Sequence, residues 1–247
     1  MDKGLVIIPT FNEKENIENI IRAVFALKTP FDILIVEDNS PDGTAAIVKK
    51  LIKEFPDRLY IMEREGKKGL GTAYIDGFKW ALQRPYGYIF EMDADFSHNP
   101  DDLERLYTSL HHDKYDVAIG SRYITGVNVV NWPMGRVLMS YYASAYVRMI
   151  TGMDIRDTTA GFVGWRREVL ETIDLDKIKF VGYAFQIEMK YTALKLGFKV
   201  IEIPIIFTDR TRGESKMNKN IFREAVFGVI NLRKRSLLGK IKPKKQD

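Results

Sequence analysis

Two carboxylates two residues apart, Asp93 and Asp95, close the apolar run Tyr88-Ile89-Phe90-Glu91-Met92. Hard oxygen donors at the mouth of a buried strand can chelate one divalent cation and leave coordination positions open for phosphate oxygens. A diphosphate leaving group needs such help. A solvated turn has the same Asp-x-Asp spelling, so the reading leans on the strand in front of it. A second acidic segment, Glu37-Asp38-Asn39-Ser40-Pro41-Asp42, follows the run Ile33 to Val36. Acids after a strand can accept hydrogen bonds from ribose hydroxyls or a base, and Asp38 is the residue assigned to that contact. Asp42 or Thr44 can cap the helix that follows.

Cations are spaced to meet phosphate. Arg64, Lys67 and Lys68 frame Gly66 and Gly69-Leu70-Gly71, where a backbone without side chains allows close approach and Lys67 can face a diphosphate; a plain basic turn reads the same way. The spacing is neither Gly-x-Gly-x-x-Gly nor Walker A, which removes support for dehydrogenases and P-loop enzymes. Arg122 ends another apolar run as Gly120-Ser121-Arg122. Arg136 and Ser140 lie one helical turn apart on a segment that opens at Trp132-Pro133 and continues through Leu138, Tyr141, Tyr142, Tyr146 and Ile150. That segment is apolar on nearly every side and rich in aromatics suited to a bilayer surface, where Arg136 and Ser140 can hold a lipid phosphate. A buried core or dimer helix is the alternative. Arg210, Arg212 and Lys216 surround Gly213 in a polar loop that suits a lid over phosphates, or a solvated surface loop. His98, His111 and His112 lack metal-ligand spacing and are expected in loops or at the surface. No serine nucleophile elbow is present.

Positioning these residues falls to alternating strands and helices. Leu5–Ile8, Ile33–Val36, Leu59–Met62, Tyr88–Met92 and Val117–Gly120 read as buried strands, with helices over 14–27, 44–55 and 70–82 between them. This is an α/β pattern: right-handed crossovers, a Rossmann-like, mostly parallel sheet with helices on both faces, and ligands gathered at the strand C-terminal ends. Lys199–Ile203 and Ile205–Phe207 read as a strand pair before the cationic loop. Of 247 residues, 45% are hydrophobic, which suits one domain, taken as 1–235 with the membrane-interface helix near 132–151. A basic tail, 236–247, completes it, and Arg233 to Lys245 holds seven Lys or Arg. With no cysteine, disulfides, thiolate zinc sites and a cysteine nucleophile are excluded. Met1 to Pro9 is too short for a signal peptide, and no run reaches the ~18 apolar residues of a spanning helix, so cytoplasmic residence with peripheral contact at the cytoplasmic membrane face is expected. A net charge of +5 permits nucleic acid, anionic lipid or phosphate-rich partners.

Taken in order, these segments resemble the family 2 glycosyltransferases of the GT-A fold, and within them the dolichol-phosphate or polyprenol-phosphate mannose synthases. The likeness extends from Ile7-Ile8-Pro9-Thr10-Phe11-Asn12-Glu13 to Gly213-Glu214-Ser215-Lys216. Its more specific stretches are Val36 to Thr44, Gly120-Ser121-Arg122-Tyr123, Asp157-Thr158-Thr159-Ala160-Gly161-Phe162, Gly182 to Glu188, and Arg210 to Lys216. The resemblance implies transfer of mannose from GDP-mannose to a polyprenyl or dolichyl phosphate, inverting and dependent on Mg²⁺ or Mn²⁺. It implies that Pro9, Phe11, Glu13, Val36 and Asp38 line the base and ribose, with Lys67 and Ala94 also on the donor. Asp93 and Asp95 would hold the metal. Arg122, Arg136 and Ser140 would bind the acceptor phosphate, and Arg210, Arg212 and Lys216 would close over the donor. Asp95, Arg122, Asp157 and Arg210 are then the candidates for the chemistry, Asp157 orienting acceptor or sugar. Ser97 departs from the glutamine that many synthases carry as a further metal neighbour. The chain reads as the short, membrane-associated form without C-terminal transmembrane helices, for which a small membrane anchor protein is a conceivable partner. Transfer of glucose, an amino sugar or a modified arabinose from a UDP- or GDP-sugar, or of sugar to a protein or glycan, is the enzymatic alternative. A nucleic-acid or anionic-membrane module is the non-enzymatic one, and no nucleic-acid motif is present to favour nucleic acid as a partner.

Overall fold

Strands buried on both faces must be continuously apolar, and the first five runs meet that demand. In the computed structural model, which describes residues 2–182, 184–209 and 219–244 and leaves aside the side chains of 219–226, they become β1 (Gly4–Thr10), β2 (Asp32–Glu37), β3 (Leu59–Glu63), β4 (Tyr88–Glu91) and β5 (Val117–Ser121). Between them lie α1 (Ile17–Phe25), α2 (Thr44–Ile52), α3 (Leu70–Leu82) and α4 (Asp102–His111). Alternate residues of one strand feed two cores: Leu5, Ile7, Leu34 and Val36 pack on one face, and Val6, Ile8, Ile33 and Ile35 on the other. Helix α1 closes the second face with Ile17, Ile20, Ile21 and Val24, a stripe of helical period.

The seven-stranded sheet has the order β3-β2-β1-β4-β7-β5-β8, where β7 is Val163–Arg166 and β8 is Val200–Pro204. All neighbours are parallel except β7, which is antiparallel to both β4 and β5. That reversal positions the site. The C-terminal ends of β2, β1, β4 and β5 share one edge, and the antiparallel β7 brings its N-terminal approach, residues 157–162, to the same edge. Sequence periodicity misses β7 because it is short and interrupted by Gly164. A Cβ there would lie 2.8 Å from the Phe90 ring and 2.9 Å from Leu110, so the glycine that weakens the strand signal is what lets β7 sit beneath them.

One further expectation changes. The segments either side of residue 204 do not pair with each other. Strand β8 joins the edge of the main sheet, while β9 (Phe207–Thr208) pairs with β6 (Val129–Val130) in a separate two-stranded ribbon. Helix α8 (Lys219–Leu237) carries the first basic residues of this end and stops at Leu237, at the start of the segment 236–247. Arg233 donates to the Thr151 carbonyl at 3.1 Å and the Tyr191 hydroxyl at 3.3 Å, and Arg235 reaches the buried Glu188 at 2.6 Å. The remaining elements are α5 (Met134–Thr151), α6 (Arg167–Thr172) and α7 (Ala184–Lys195).

Candidate active site

At one end of the sheet edge, the loops after β1 and β2 are stitched together. The backbone N–H groups of Asn12, Glu13 and Lys14 donate to Ser40 Oγ, Thr44 Oγ1 and Asp42 Oδ2 at 3.0, 3.1 and 3.0 Å. Asp42 also accepts from the Thr44 N–H and hydroxyl, which is the helix-entry role open to it on sequence. Buried Glu37 accepts the Asn39 and Ser40 N–H groups, each at 2.9 Å, so this acid shapes the loop. Pro9 and Val36 are register partners on β1 and β2. Asp38 is nearly buried against Arg64 Nε at 2.8 Å, and burial pushes its carboxyl up while Arg64 only partly offsets that. Arg64 also pairs with Asp76 and Thr72, which makes it a structural cation. Lys67 differs: its ammonium lies 5.1 Å from the Phe11 ring, at the loop after β1.

Next along the edge, β4 delivers Asp93 and Asp95. The Ser97 hydroxyl and N–H donate to one Asp95 oxygen at 2.6 and 3.1 Å, so Ser97 orients the carboxylate. Among the described residues, no group of three acids or histidines gathers here. A pair of carboxylates is the donor set of a site whose remaining positions are taken by substrate phosphates and water, and in that sense the residues fit a divalent ion. Behind the pair lies a buried polar layer. Glu91 accepts from Trp165 Nε1 at 2.7 Å and from the Gln186 amide. Burial raises the Glu91 carboxyl and lowers the Lys190 ammonium. Lys190 donates to the Thr158 and Ala160 carbonyls at 3.2 and 2.6 Å, bracing the loop that enters β7.

That loop holds Arg122. Asp157, fully buried, accepts from Arg122 Nε at 2.7 Å, Nη2 at 2.6 Å and its backbone N–H at 2.9 Å, and Thr159 accepts a further bond from Nη2. Burial works against the Asp157 carboxylate, yet the adjoining guanidinium and these bonds hold it below the usual range. Arg136 sits 4.2 Å above the Trp132 ring and donates to both Asp209 oxygens at 2.9 Å. Asp93, Asp95, Arg122, Arg136 and Ser140 all line one cavity of about 190 Å³, with Trp132, Met139 and Phe207 supplying apolar wall. Arg210, Arg212 and Lys216 lie outside the described residues.

With this geometry in place, kinship can be read at the level of the whole chain. The profile of glycosyl transferase family 2 matches residues 5–174. The chain is a family 2 glycosyltransferase. The transferase is 47% identical over 227 residues to the polyprenol monophosphomannose synthase of Mycolicibacterium smegmatis, covering 92% of this chain and 85% of that protein. It is 41% identical over 225 residues to the undecaprenyl-phosphate mannosyltransferase of Micrococcus luteus, covering 91% of each. The dolichol-phosphate mannosyltransferase of Pyrococcus furiosus is 38% identical over 227 residues, covering 89% of this chain and 61% of that longer protein. Its fold is that of glucosyl-3-phosphoglycerate synthase from Mycobacterium tuberculosis, with a TM-score of 0.69 at 15% identity over 94% of this chain and 80% of that one. The GT-A arrangement therefore stands.

In and around the cavity the structure also places residues to which the sequence assigned no role. His98, expected in a loop or at the surface, is almost wholly buried in the cavity wall, stacked on Phe162 at 4.9 Å with Phe207 edge-on at 5.4 Å. Burial pushes its imidazole well below the usual value. Gln186 and Lys190 lie one turn apart on α7, Gln186 lining the cavity and Lys190 bracing the 157–162 loop, and Asp209 holds Arg136. The signal for the α7 pair lay in two polar side chains inside a helix buried on almost every side.

Proposed function

We propose that the transferase moves mannose from GDP-mannose to a polyprenyl phosphate, inverting the anomeric centre, with Mg²⁺ or Mn²⁺, at the cytoplasmic surface of a membrane. The observation that carries this is the convergence of an Asp-x-Asp pair and an Arg122–Arg136–Ser140 cluster on one cavity with apolar walls. A donor diphosphate at the first and an acceptor phosphate at the second leave the sugar between them. Names support the rest: the relatives are mannose transferases to polyprenyl-type phosphates, and the M. tuberculosis synthase was crystallised with Mn²⁺ and uridine diphosphate.

In this reading Phe11, Asp38 and the stitched loops hold base and ribose, and Lys67 faces the diphosphate. Asp93 and Asp95 hold the divalent ion, which supplies charge neutralisation to the departing nucleoside diphosphate. A phosphate monoester is already anionic at neutral pH, so attack on the anomeric carbon depends on positioning and charge control more than on a strong base. Arg122 and Arg136 lower the repulsion between the two anions. Asp157, tied to Arg122 by three bonds, keeps the guanidinium pointed at the cavity and acts as a positioning residue.

Membrane attachment is supported by an inverted helix. On α5 the residues turned inward are Ser144, Val147 and Thr151, while Met134, Tyr142 and Met149 are 69%, 64% and 74% exposed. Helix α8 packs beside it and adds exposed Phe227, Ile230 and Leu237. No helix among the described residues is long and apolar enough to cross a membrane. Transfer of another sugar to the same acceptor is the second reading, since the walls of the sugar space do not name a hexose. The test is incubation with labelled GDP-mannose, metal and polyprenyl phosphate in detergent, counting label in the organic phase beside a panel of UDP-sugars. Label should need both metal and acceptor, and Asp95→Asn should lower it at least about a hundredfold. Label only from a UDP-sugar would replace the donor.

A further inference from the structure

We propose that His98 is the donor-sugar recognition residue: its Nε2–H donates a hydrogen bond to a hydroxyl of the sugar being transferred. The inference deepens the proposed function and rests on it. His98 Nδ1 accepts the Asp93 backbone N–H at 3.3 Å, which fixes the neutral ring with its proton on Nε2. Phe162 covers one face of the ring and Phe207 meets it edge-on, so the ring cannot turn away. Among the described residues Nε2 has no hydrogen-bond partner, yet it is not among the polar atoms sealed without one in the interior. His98 lines the cavity, and in the proposal this N–H faces it.

Its place in the cavity selects the ligand. On one side its Nδ1 is bonded to the backbone of Asp93, one of the two carboxylates that receive the diphosphate. On the other, Phe207, which meets His98, lies 5.5 Å from the Arg122 guanidinium, where the acceptor anion belongs. The group between two phosphates on a displacement path is the sugar. A neutral, fixed N–H donor is suited to an alcohol oxygen, and an analogue lacking that oxygen leaves the donor unpaired in a largely dry wall.

Calorimetry with GDP and with GDP-mannose, and transfer assays with donors lacking one hydroxyl at positions 2, 3, 4 or 6 of mannose, test this on wild type, His98→Phe and His98→Gln. Wild type should lose about tenfold in kcat/KM on at least one deoxy donor. His98→Phe should bind GDP within twofold of wild type but GDP-mannose about tenfold more weakly, and should treat that same deoxy donor and the parent alike. His98→Gln, which keeps a donor, should recover part of the discrimination. Wild type indifferent to all four deletions overturns the proposal whatever the variants do. Equal weakening of GDP and GDP-mannose in His98→Phe also overturns it, moving the contact to the diphosphate or to structure. If wild type takes no mannose, the donor reading fails instead, and the same comparison is made between the nucleotide sugar it does take and its free nucleoside diphosphate.

Discussion

Asp209 offers both carboxylate oxygens to one nitrogen of Arg136, and a phosphate monoester competing for that guanidinium must displace it or share it. Asp209→Asn is therefore expected to lower the KM for polyprenyl phosphate severalfold while leaving the KM for GDP-mannose near wild type, read by varying each substrate in turn. Asp157 behaves differently because it is sealed. Its folded carboxylate ionises below the ordinary value of about 3.9, so it contributes stability above that pH and loses it as pH falls through the lower folded value. Urea melts of wild type should weaken below about pH 4. Asp157→Ala, which leaves the Arg122 charge uncompensated, should cost about 3–5 kcal/mol at pH 7 and flatten that acid limb. At this scale Asp93, Asp95 and Arg122 were legible in sequence because each follows a strand. His98 was not, since nothing local distinguishes a histidine in a loop from one locked between Phe162 and Phe207.

Among elements, the strands predicted from apolar runs range from the edge strands β3 and β8 to the inner β2, β1, β4 and β5, since a continuous apolar run is read without knowing its partners. The concealed ones owe their pairing to distant residues. Strand β7 pairs at Gly164 with Phe90 and Ala118, far away in sequence. Strand β9 is two residues that become a strand only because Val129 and Val130 come alongside. Gly164→Ala puts a methyl within 2.9 Å of Phe90 and Leu110, and overpacking of this kind is expected to cost about 1–3 kcal/mol in a denaturant melt. Since β7 carries the loop that braces Arg122, the variant should also lose activity before it loses its helical circular dichroism.

At the scale of the molecule, the described residues of α5 and α8 present an apolar face beside the cavity lined by Arg136 and Ser140. Tyr142→Glu with Met149→Glu should cut flotation with anionic vesicles severalfold while leaving turnover of a short, soluble polyprenyl phosphate close to wild type. Added salt should weaken flotation less than these substitutions if apolar insertion dominates over the attraction of the basic segment.

The antiparallel placing of β7 carries a consequence for how such an enzyme can diversify. Everything assigned to the nucleotide and metal in the described chain comes from one unbroken stretch, from Pro9 to Asp95, folded as consecutive crossovers. Everything assigned to the acceptor in the described chain comes from Arg122 onward, across the β4–β7 seam. The two halves meet along main-chain ladder bonds between Tyr88–Glu91 and Val163–Arg166, with Gly164 leaving room for the Phe90 ring. In the proposed reading, acceptor fit can thus be altered in the later segment without touching the donor half, and the seam marks where the two divide.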